Sequence, residues 1–204
     1  CILSAINVGK VKSDDELEEL CDLSVRGLEE LIDYQQYPVK AAERATKARR
    51  SLGIGFIGLA HYLAKLGYNY ESQEAWDAVH GLSESFQYYL LKSSNQIAKE
   101  KGWCHDFGRT KYADGILPID TYKKDVDEIT SGKLQHDWES LRASINEFGL
   151  RHSTLSAQMP SESSSVVSNA TNGIEPPRGY LSIKKSKKGP LKQIVPSYSS
   201  LKNN

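Results

Sequence analysis

The alternation of short apolar segments with long amphipathic ones constrains the fold of this 204-residue chain more than any other feature. Residues 1–8 mix apolar with small residues and end before Gly9, a pattern typical of a buried strand. Ser13 and Glu16 then form a capping box ahead of apolar residues at helical spacing, which predicts a helix over residues 13–34. Strands that alternate with helices at wide spacing indicate an α/β fold with much parallel pairing.

Three further helices follow from the same periodicity. A basic stretch at residues 40–50 leads into one helix, whose apolar residues recur through residues 59–66. A longer helix is predicted over residues 72–101. Residues 103–120 are rich in turn formers and are expected to be irregular, and a last helix is predicted over residues 137–148.

The second half of the chain contains the remaining strand signals. Residues 151–159 form the most strand-like run there, which Pro160 ends. Residues 179–196 predict two short strands joined by a basic turn that contains Gly189 and Pro190.

Gly53, Gly55 and Gly58 spell GxGxxG, the pattern with which many proteins bind a dinucleotide. That function requires a hydrophobic strand directly upstream, and the preceding residues are "ERATKARRS". The alternative, small residues that let a helix pack closely, is favoured.

Charge and hydropathy exclude several classes of protein. Lysine plus arginine equals aspartate plus glutamate at 26 each, so no overall field favours DNA or a membrane surface as partner. No apolar run approaches the length of a membrane span and no secretory signal is present. Cys1, Cys21 and Cys104 are few and far apart, which argues against structural zinc and suggests a reducing compartment, so a cytoplasmic location is expected.

The histidines and a lysine cluster are given structural interpretations. The five histidines lack the spacing of metal ligands, so surface or hydrogen-bonded core positions are expected. His105 beside Cys104 does not make a convincing nucleophile pair, because adjacent side chains seldom point at the same atom. The lysines of residues 184–188 are expected to form a solvated turn.

The segment "MPSESSS", residues 159–165, carries the strongest local sign of a binding site. A strand ends at Met159, Pro160 blocks its extension, and serine hydroxyls are placed to cap a short helix over residues 164–170. Helix amino termini that follow strands bind anions in α/β folds. Ordinary capping explains one serine but not four, so a phosphate cradle is predicted; the carboxylate of Glu162 must then point away from the anion.

Four stretches resemble the catalytic large (alpha) subunit of class I ribonucleotide reductases. They are "CILSAINVG", "LIDYQQYPVKAAERATKARRSLGIGFIGLAHYLAKLG", "YADGILPIDTYKKD" and "STLSAQMPSESSSVVSNATNGIEPPRGYLSIKKS". The resemblance covers essentially the whole chain. It implies the second half of a ten-stranded α/β barrel and the reduction of ribonucleoside diphosphates to deoxyribonucleoside diphosphates by thiyl-radical chemistry.

The resemblance also assigns roles to individual residues. Cys1 matches a cysteine that pairs with one in the first half of the barrel to form the redox-active dithiol. The substrate-diphosphate loop of the family matches Pro160, Ser161, Glu162, Ser163 and Ser164. The string "NATNGIEPPRG" matches a neighbouring turn that shapes the site.

Other parts that the reaction needs find no match here. The family's radical cysteine stands in Asn-x-Cys-x-Glu, which does not occur, and neither Cys21 nor Cys104 matches it, since both are expected in helical or surface positions. Tyr88-Tyr89 is not assigned to the radical relay. The resemblance implies that this chain binds no cofactor, that a small subunit with a metal cofactor supplies the radical, and that ATP and dNTP effectors bind elsewhere. Thioredoxin or glutaredoxin is the implied reductant.

The chain opens on Cys1 and is expected to be a single partial domain, residues 1–204, without the N-terminal half, the allosteric regions and the C-terminal tail. Two alternatives remain open: a non-catalytic phosphate-binding or assembly fragment that needs the missing half, and an inactive remnant.

Overall fold

The fold is described from a computed structural model, which places residues 2–187 and 189–202. Cys1 therefore lies outside the described residues. The strands are β1 (Ile2–Asn7), β2 (Leu52–Ile57), β3 (Leu181–Ser186) and β4 (Gly189–Ile194). The helices are α1 (Asp14–Tyr34), α2 (Lys40–Arg49), α3 (Leu59–Leu66), α4 (Gln73–Lys101), α5 (Pro118–Thr121), α6 (Val126–Ile129), α7 (Trp138–Phe148), α8 (Glu162–Val167) and α9 (Tyr198–Leu201). Two 3-10 turns occupy Phe107–Arg109 and Lys111–Asp114.

A parallel sheet forms the centre of the fold. β1 and β2 pair in parallel, with Ile2 opposite Leu52 and Asn7 opposite Ile57. An extended segment, residues 153–158, follows the other edge of β2: the Ile54 amide donates to the Leu155 carbonyl at 2.8 Å, and the Ala157 amide donates to the Ile54 carbonyl at 3.1 Å. This segment contributes a parallel bridge rather than the full strand predicted for residues 151–159.

The long helices cover this sheet and bury its apolar side chains. The Ser13 hydroxyl accepts a hydrogen bond from the Glu16 amide at 3.2 Å, so α1 begins where the capping residues predicted. The Glu16 carboxylate accepts from the Lys12 amide, so the reciprocal half of the capping box is absent. α1 packs against β1 and α4, and its apolar face is buried together with that of α4: Leu17, Cys21, Val25, Ile32, Leu90, Leu91 and Ile97. Each such side chain contributes about 1.5–3 kcal/mol by leaving water.

β2 corrects the interpretation of the glycine pattern. Gly53 and Gly55 lie in a strand whose six residues are all buried, not in a closely packed helix. A Cβ atom at Gly55 would collide with the Ala157 carbonyl oxygen, so glycine is what allows the extended segment to approach β2. Gly58 follows the strand with φ +81 and begins α3.

The basic stretch before β2 is also more ordered than expected. Residues 40–49 form α2, which has no buried residue and therefore shows no apolar periodicity. It ends at Arg50, a left-handed residue with φ 48, whose side chain turns into the core.

The hairpin β3–β4 confirms the two predicted strands. Gly189 and Pro190, which were predicted in the turn, are instead the first two residues of β4. The register of the hairpin places Ser182, Lys184 and Gln193 on one face, and Leu181, Ile183 and Ile194 on the other. The apolar face is the outer one, since these three side chains are 54–57% exposed.

The described elements form a mixed α/β arrangement, with one parallel and one antiparallel pair, and they do not close a barrel. Within the described ranges, no helix has both the length and the apolarity needed to cross a membrane.

Candidate phosphate-binding site

The carboxyl ends of β1, β2 and the extended segment lie at one edge of the sheet, because all three run in parallel. We call this the carboxyl edge; it is where α/β folds place ligands. The Gly58 amide donates to the Thr171 carbonyl at 3.0 Å, which brings the turn that follows α8 to the same edge. The predicted cradle and the "NATNG" turn are therefore neighbours of Asn7 and Gly58.

The cradle, residues 160–164, presents backbone N–H groups that no side chain caps. The Ser161 side chain makes no capping hydrogen bond, so the predicted hydroxyl cap is wrong. The first helical bond runs from the Ser165 amide to the Ser161 carbonyl at 2.9 Å. The amides of residues 162–164 precede it and have no acceptor among the described residues.

Other serines of this segment bond backwards to carbonyls. The Ser165 hydroxyl donates to the Glu162 carbonyl at 2.9 Å and the Ser168 hydroxyl donates to the Ser164 carbonyl at 2.7 Å. Because α8 starts at Glu162, two residues earlier than predicted, Ser163 and Ser164 lie in its first turn and are exposed. The exposed residues of this turn thus offer free N–H donors and two hydroxyls to an anion.

Buried polar atoms without partners collect at the carboxyl edge. Among the described residues, no group bonds to the following buried side-chain atoms: Asn7 Nδ2 and Oδ1, His61 Nδ1, Thr171 Oγ1 and Asn172 Oδ1. Buried polar groups are nearly always hydrogen-bonded in folded proteins. These atoms therefore leave hydrogen-bonding capacity at this edge for water or a ligand.

Two glycines allow the polar side chains of Asn7 and His61 to lie close to the backbone at this edge. A Cβ atom at Gly58 would lie 2.5 Å from Asn7 Oδ1, and one at Gly9 would lie 2.7 Å from His61 Nδ1. The other ring nitrogen, His61 Nε2, is 3.0 Å from Ser197 Oγ. Burial lowers the pKa of His61, and Lys65 lowers it further, so the ring is neutral near pH 7.

A cavity of about 330 Å³ lies between α8, the turn at residues 170–179 and the hairpin. Its lining includes the basic residues Arg178 and Lys184, the acidic residues Glu162 and Glu175, and Thr171, whose hydroxyl oxygen has no partner among the described residues. The cavity thus places Arg178 and Lys184 near the cradle, whose own residues carry no positive charge.

A second, larger cavity has a different character. It has a volume of about 780 Å³ and is lined mostly by apolar and aromatic side chains of β2, α4 and α5, among them Phe56, Trp76, Phe86 and Tyr122. The one buried carboxylate that we identify in its wall, Glu84, already accepts bonds from the amides of Gln135 and His136. An apolar lining does not suit a diphosphate, so the carboxyl edge is the better candidate.

The described cysteines do not form a redox centre. Cys21 is buried in α1, and burial, together with Glu18, Asp14 and Asp22, raises the pKa of its thiol to about 12. Cys104 is also buried rather than at the surface as the sequence suggested, and burial raises its pKa. Neither is poised to be a thiolate near pH 7. Across the ranges that the structure covers, no group of three or more His, Cys, Asp or Glu side chains could hold a metal ion.

Sequence comparison identifies the family. The family model described as "Ribonucleotide reductase, barrel domain" matches residues 1–204. The chain belongs to the ribonucleotide reductase family. This confirms the resemblance drawn from the four sequence stretches.

Relatives within the ribonucleotide reductase family are close in sequence and much longer. A ribonucleoside-diphosphate reductase subunit alpha of Haemophilus influenzae is 62% identical over all of this chain, which covers 27% of that protein. Subunit alpha of ribonucleoside-diphosphate reductase 1 of Escherichia coli is 60% identical over 83% of the chain, which covers 22% of that protein. The subunit alpha of phage T4 is 47% identical over 97% of the chain, 26% of its own length. The chain thus spans about a quarter of these relatives.

Several residues at the carboxyl edge escaped the sequence analysis. Asn7 and His61 are single polar residues inside apolar segments, and only the packing of Gly9 against Gly58 brings them together. The one available signal was a polar residue at the end of a strand. Lys184 was assigned to a solvated turn and Gln193 only to a predicted strand, yet both contact the segment around α8.

Proposed function

We propose that this chain is part of the large subunit of a ribonucleoside-diphosphate reductase, which reduces ribonucleoside diphosphates to deoxyribonucleoside diphosphates for DNA synthesis. The observation that carries the proposal is the match of the whole chain to the barrel domain of the family. The three relatives named above, all alpha subunits of ribonucleoside-diphosphate reductases, support it.

In this proposal the cradle binds the diphosphate of the substrate. The free amides of residues 162–164 and the hydroxyls of Ser163 and Ser164 supply neutral donors. Glu162 takes part through its amide, with its carboxylate directed to solvent. Fixing the diphosphate places the ribose for the radical step and makes that step effectively intramolecular.

Cys1 is proposed to supply one thiol of the redox-active dithiol, with its partner in another part of the subunit. The two thiols are oxidised to a disulfide and deliver two electrons and two protons, while the ribose 2′-hydroxyl leaves as water. Thioredoxin or glutaredoxin then reduces the disulfide. The metal cofactor of a small subunit supplies the radical, and ATP and dNTP effectors bind outside this chain.

The proposed architecture is the second half of a ten-stranded barrel, formed by residues 1–204 as one partial domain in a cytoplasmic enzyme. The parallel arrangement of β1, β2 and the extended segment supports it, because a barrel half requires parallel neighbours with helices on the outer side.

The cradle is tested in a complete alpha subunit that carries this sequence, combined with a radical-generating subunit. Replacing Ser163 and Ser164 by alanine should raise the KM for cytidine diphosphate about fivefold per lost hydrogen bond, because the amides remain. Ser168→Ala, which removes a hydroxyl bonded to a helix carbonyl, is the control. If Ser163→Trp left KM unchanged, the diphosphate would bind elsewhere.

The role of Cys1 is tested by Cys1→Ser in the same enzyme. Turnover with thioredoxin should stop while binding of cytidine diphosphate persists. Undiminished turnover would refute the assignment.

A second function, a phosphate-binding or assembly fragment without its own catalysis, is favoured by the exposed apolar face of the hairpin. Assays of diphosphate reduction with and without the remaining parts of the enzyme separate the two functions.

A further inference from the structure

α8 carries the backbone amides of the cradle but buries almost no apolar side chain. Ser165 is its one buried residue, and the Val167 side chain is 89% exposed. A helix of six residues is not stable by itself. Contacts other than apolar burial must therefore fix its orientation.

Two side chains of the hairpin supply such contacts. Gln193 Nε2 donates to the Ala170 carbonyl at 3.2 Å and approaches the Ser165 carbonyl at 3.5 Å. Lys184 Nζ lies 3.4 Å from the Glu162 carbonyl. These three carbonyls stand at the start, in the middle and beyond the end of α8, so the two side chains span the helix.

The hairpin register explains why these residues act together. Lys184 and Gln193 share the face that turns toward α8, and both line the 330 Å³ cavity. Thr171, whose buried hydroxyl oxygen has no partner among the described residues, lines it too. Lys192 lies on the opposite face and is exposed, and the structure gives it no hydrogen bond or ion pair to a described residue.

We propose that Lys184 and Gln193 are positioning residues, which hold α8 so that the amides of the cradle face the substrate diphosphate. The inference rests on the proposed function and deepens it. Both side chains donate hydrogen bonds to backbone carbonyls of the segment. The backbone amides in the first turn of α8 therefore stay available to the anion. Lys184 also places a positive charge beside the first residue of α8, where a diphosphate carries negative charge.

The experiment uses a complete alpha subunit with this sequence in place, combined with its radical-generating subunit. Four variants are compared with the wild type: Lys184→Met, Lys184→Arg, Gln193→Glu and, as the matched loss of charge on the other face, Lys192→Met. Gln193→Glu keeps the shape but replaces the donor amide by an acceptor. Steady-state reduction of cytidine diphosphate gives KM and kcat, and competition by inorganic pyrophosphate gives an inhibition constant.

Lys184→Met and Gln193→Glu should each raise KM and the pyrophosphate inhibition constant about fivefold, the factor for one hydrogen bond, with kcat unchanged. Lys192→Met should match the wild type, and Lys184→Arg should restore most of the loss. Melting temperatures near that of Lys192→Met show that the variants fold.

The inference is overturned if both variants behave as Lys192→Met does, or if they lose kcat and thermal stability without a change in KM. Failure of the proposed function looks different. In that case the wild-type enzyme does not reduce cytidine diphosphate, or Ser163→Trp leaves both KM and pyrophosphate inhibition unchanged.

Discussion

Glu29 is a buried carboxylate that accepts hydrogen bonds from three residues. Its side chain is 1% exposed and is contacted by the following nitrogens: Arg50 Nε and Nη2 and Arg151 Nε, each at 2.7 Å, and His152 Nε2 at 3.0 Å. Burial alone would raise the pKa of Glu29, but the hydrogen bonds from His152, Arg50 and Arg151 outweigh it and lower this pKa to about 2. The network joins α1, the start of β2 and the loop that leads to the extended segment.

Removing this charge should be costly. Glu29→Gln removes the charge partner of the partly buried Arg151 and one of the two charge partners of the buried Arg50. We therefore expect a loss of about 3–5 kcal/mol in unfolding free energy, measured by denaturant titration. Asp33→Asn is the control, because Asp33 pairs with the same Arg50 but its side chain is 54% exposed. That variant should lose less than about 1 kcal/mol. Equal losses would contradict the importance of burial.

The same network predicts an acid-sensitive region. Burial lowers the pKa of His152 below its ordinary value of 6.5, although Glu29 opposes this, so the folded state favours the neutral ring. Its contribution to stability is complete above pH 6.5 and falls as the pH decreases, since the unfolded state binds the proton more tightly. The contribution of Glu29 is present above pH 4.5 and is lost as the pH falls toward 2.

Hydrogen exchange in peptides that cover residues 28–33 and 150–153, corrected for intrinsic rates, measures this loss. Local opening should increase between about pH 7 and pH 5, and this slope should disappear in His152→Gln. A slope that persists in the variant would assign the effect to another group.

At the scale of elements, capped helices were predictable and uncapped or fully buried elements were not. α1, α4 and α7 were predicted to start at residues 13, 72 and 137, and the side chains of Ser13, Ser72 and Asp137 do accept capping bonds there. α2 has no buried residue, so periodicity could not reveal it. β2 is buried on both faces and contains two glycines, so it lacks the alternation by which strands are recognised.

Some features of the candidate site were predictable from the sequence and others were not. The location of the cradle followed from a proline-stopped segment and from resemblance, but its free amides did not. They depend on the starting residue of α8 and on serines that bond to carbonyls. The roles of Lys184 and Gln193 depend on contacts across the hairpin, which no local pattern encodes.

Two glycines should respond in opposite ways to the same substitution. Gly55→Ala forces β2 and the extended segment apart, and we expect a loss of about 1–3 kcal/mol. Gly27→Ala lies in α1 with no atom within 4 Å of the added carbon, so it should stabilise by about 0.5–1 kcal/mol. Urea titration of both variants checks this. A loss at Gly27 or a gain at Gly55 would contradict the described contacts.

At the scale of the whole molecule, the described surface contains apolar areas that water disfavours. The outer face of the hairpin exposes Leu181, Ile183 and Ile194, and the described residues leave one edge of β1 unpaired. The chain spans about a quarter of the length of its relatives. Under the proposed function, other parts of the large subunit would cover these surfaces.

The chain produced alone should therefore self-associate at micromolar concentration, as measured by sedimentation velocity. Ile183→Lys should reduce this association by placing a charge on the outer face of the hairpin. Tyr34→Lys, at an 85% exposed position away from the hairpin, is the control and should change little. Equal effects of the two variants, or a monomeric wild-type chain, would contradict this expectation.

Arg50 limits how this protein can be engineered for stability. A left-handed residue at the end of a helix is where glycine is ordinarily substituted to relieve backbone strain. Here the residue with φ 48 is also one of the two arginines that pair with Glu29, so relieving the backbone strain removes one charge partner of a buried carboxylate. Glycine at this position would therefore gain backbone stability and lose an ion pair, and a redesign that also replaced Glu29 would avoid that loss.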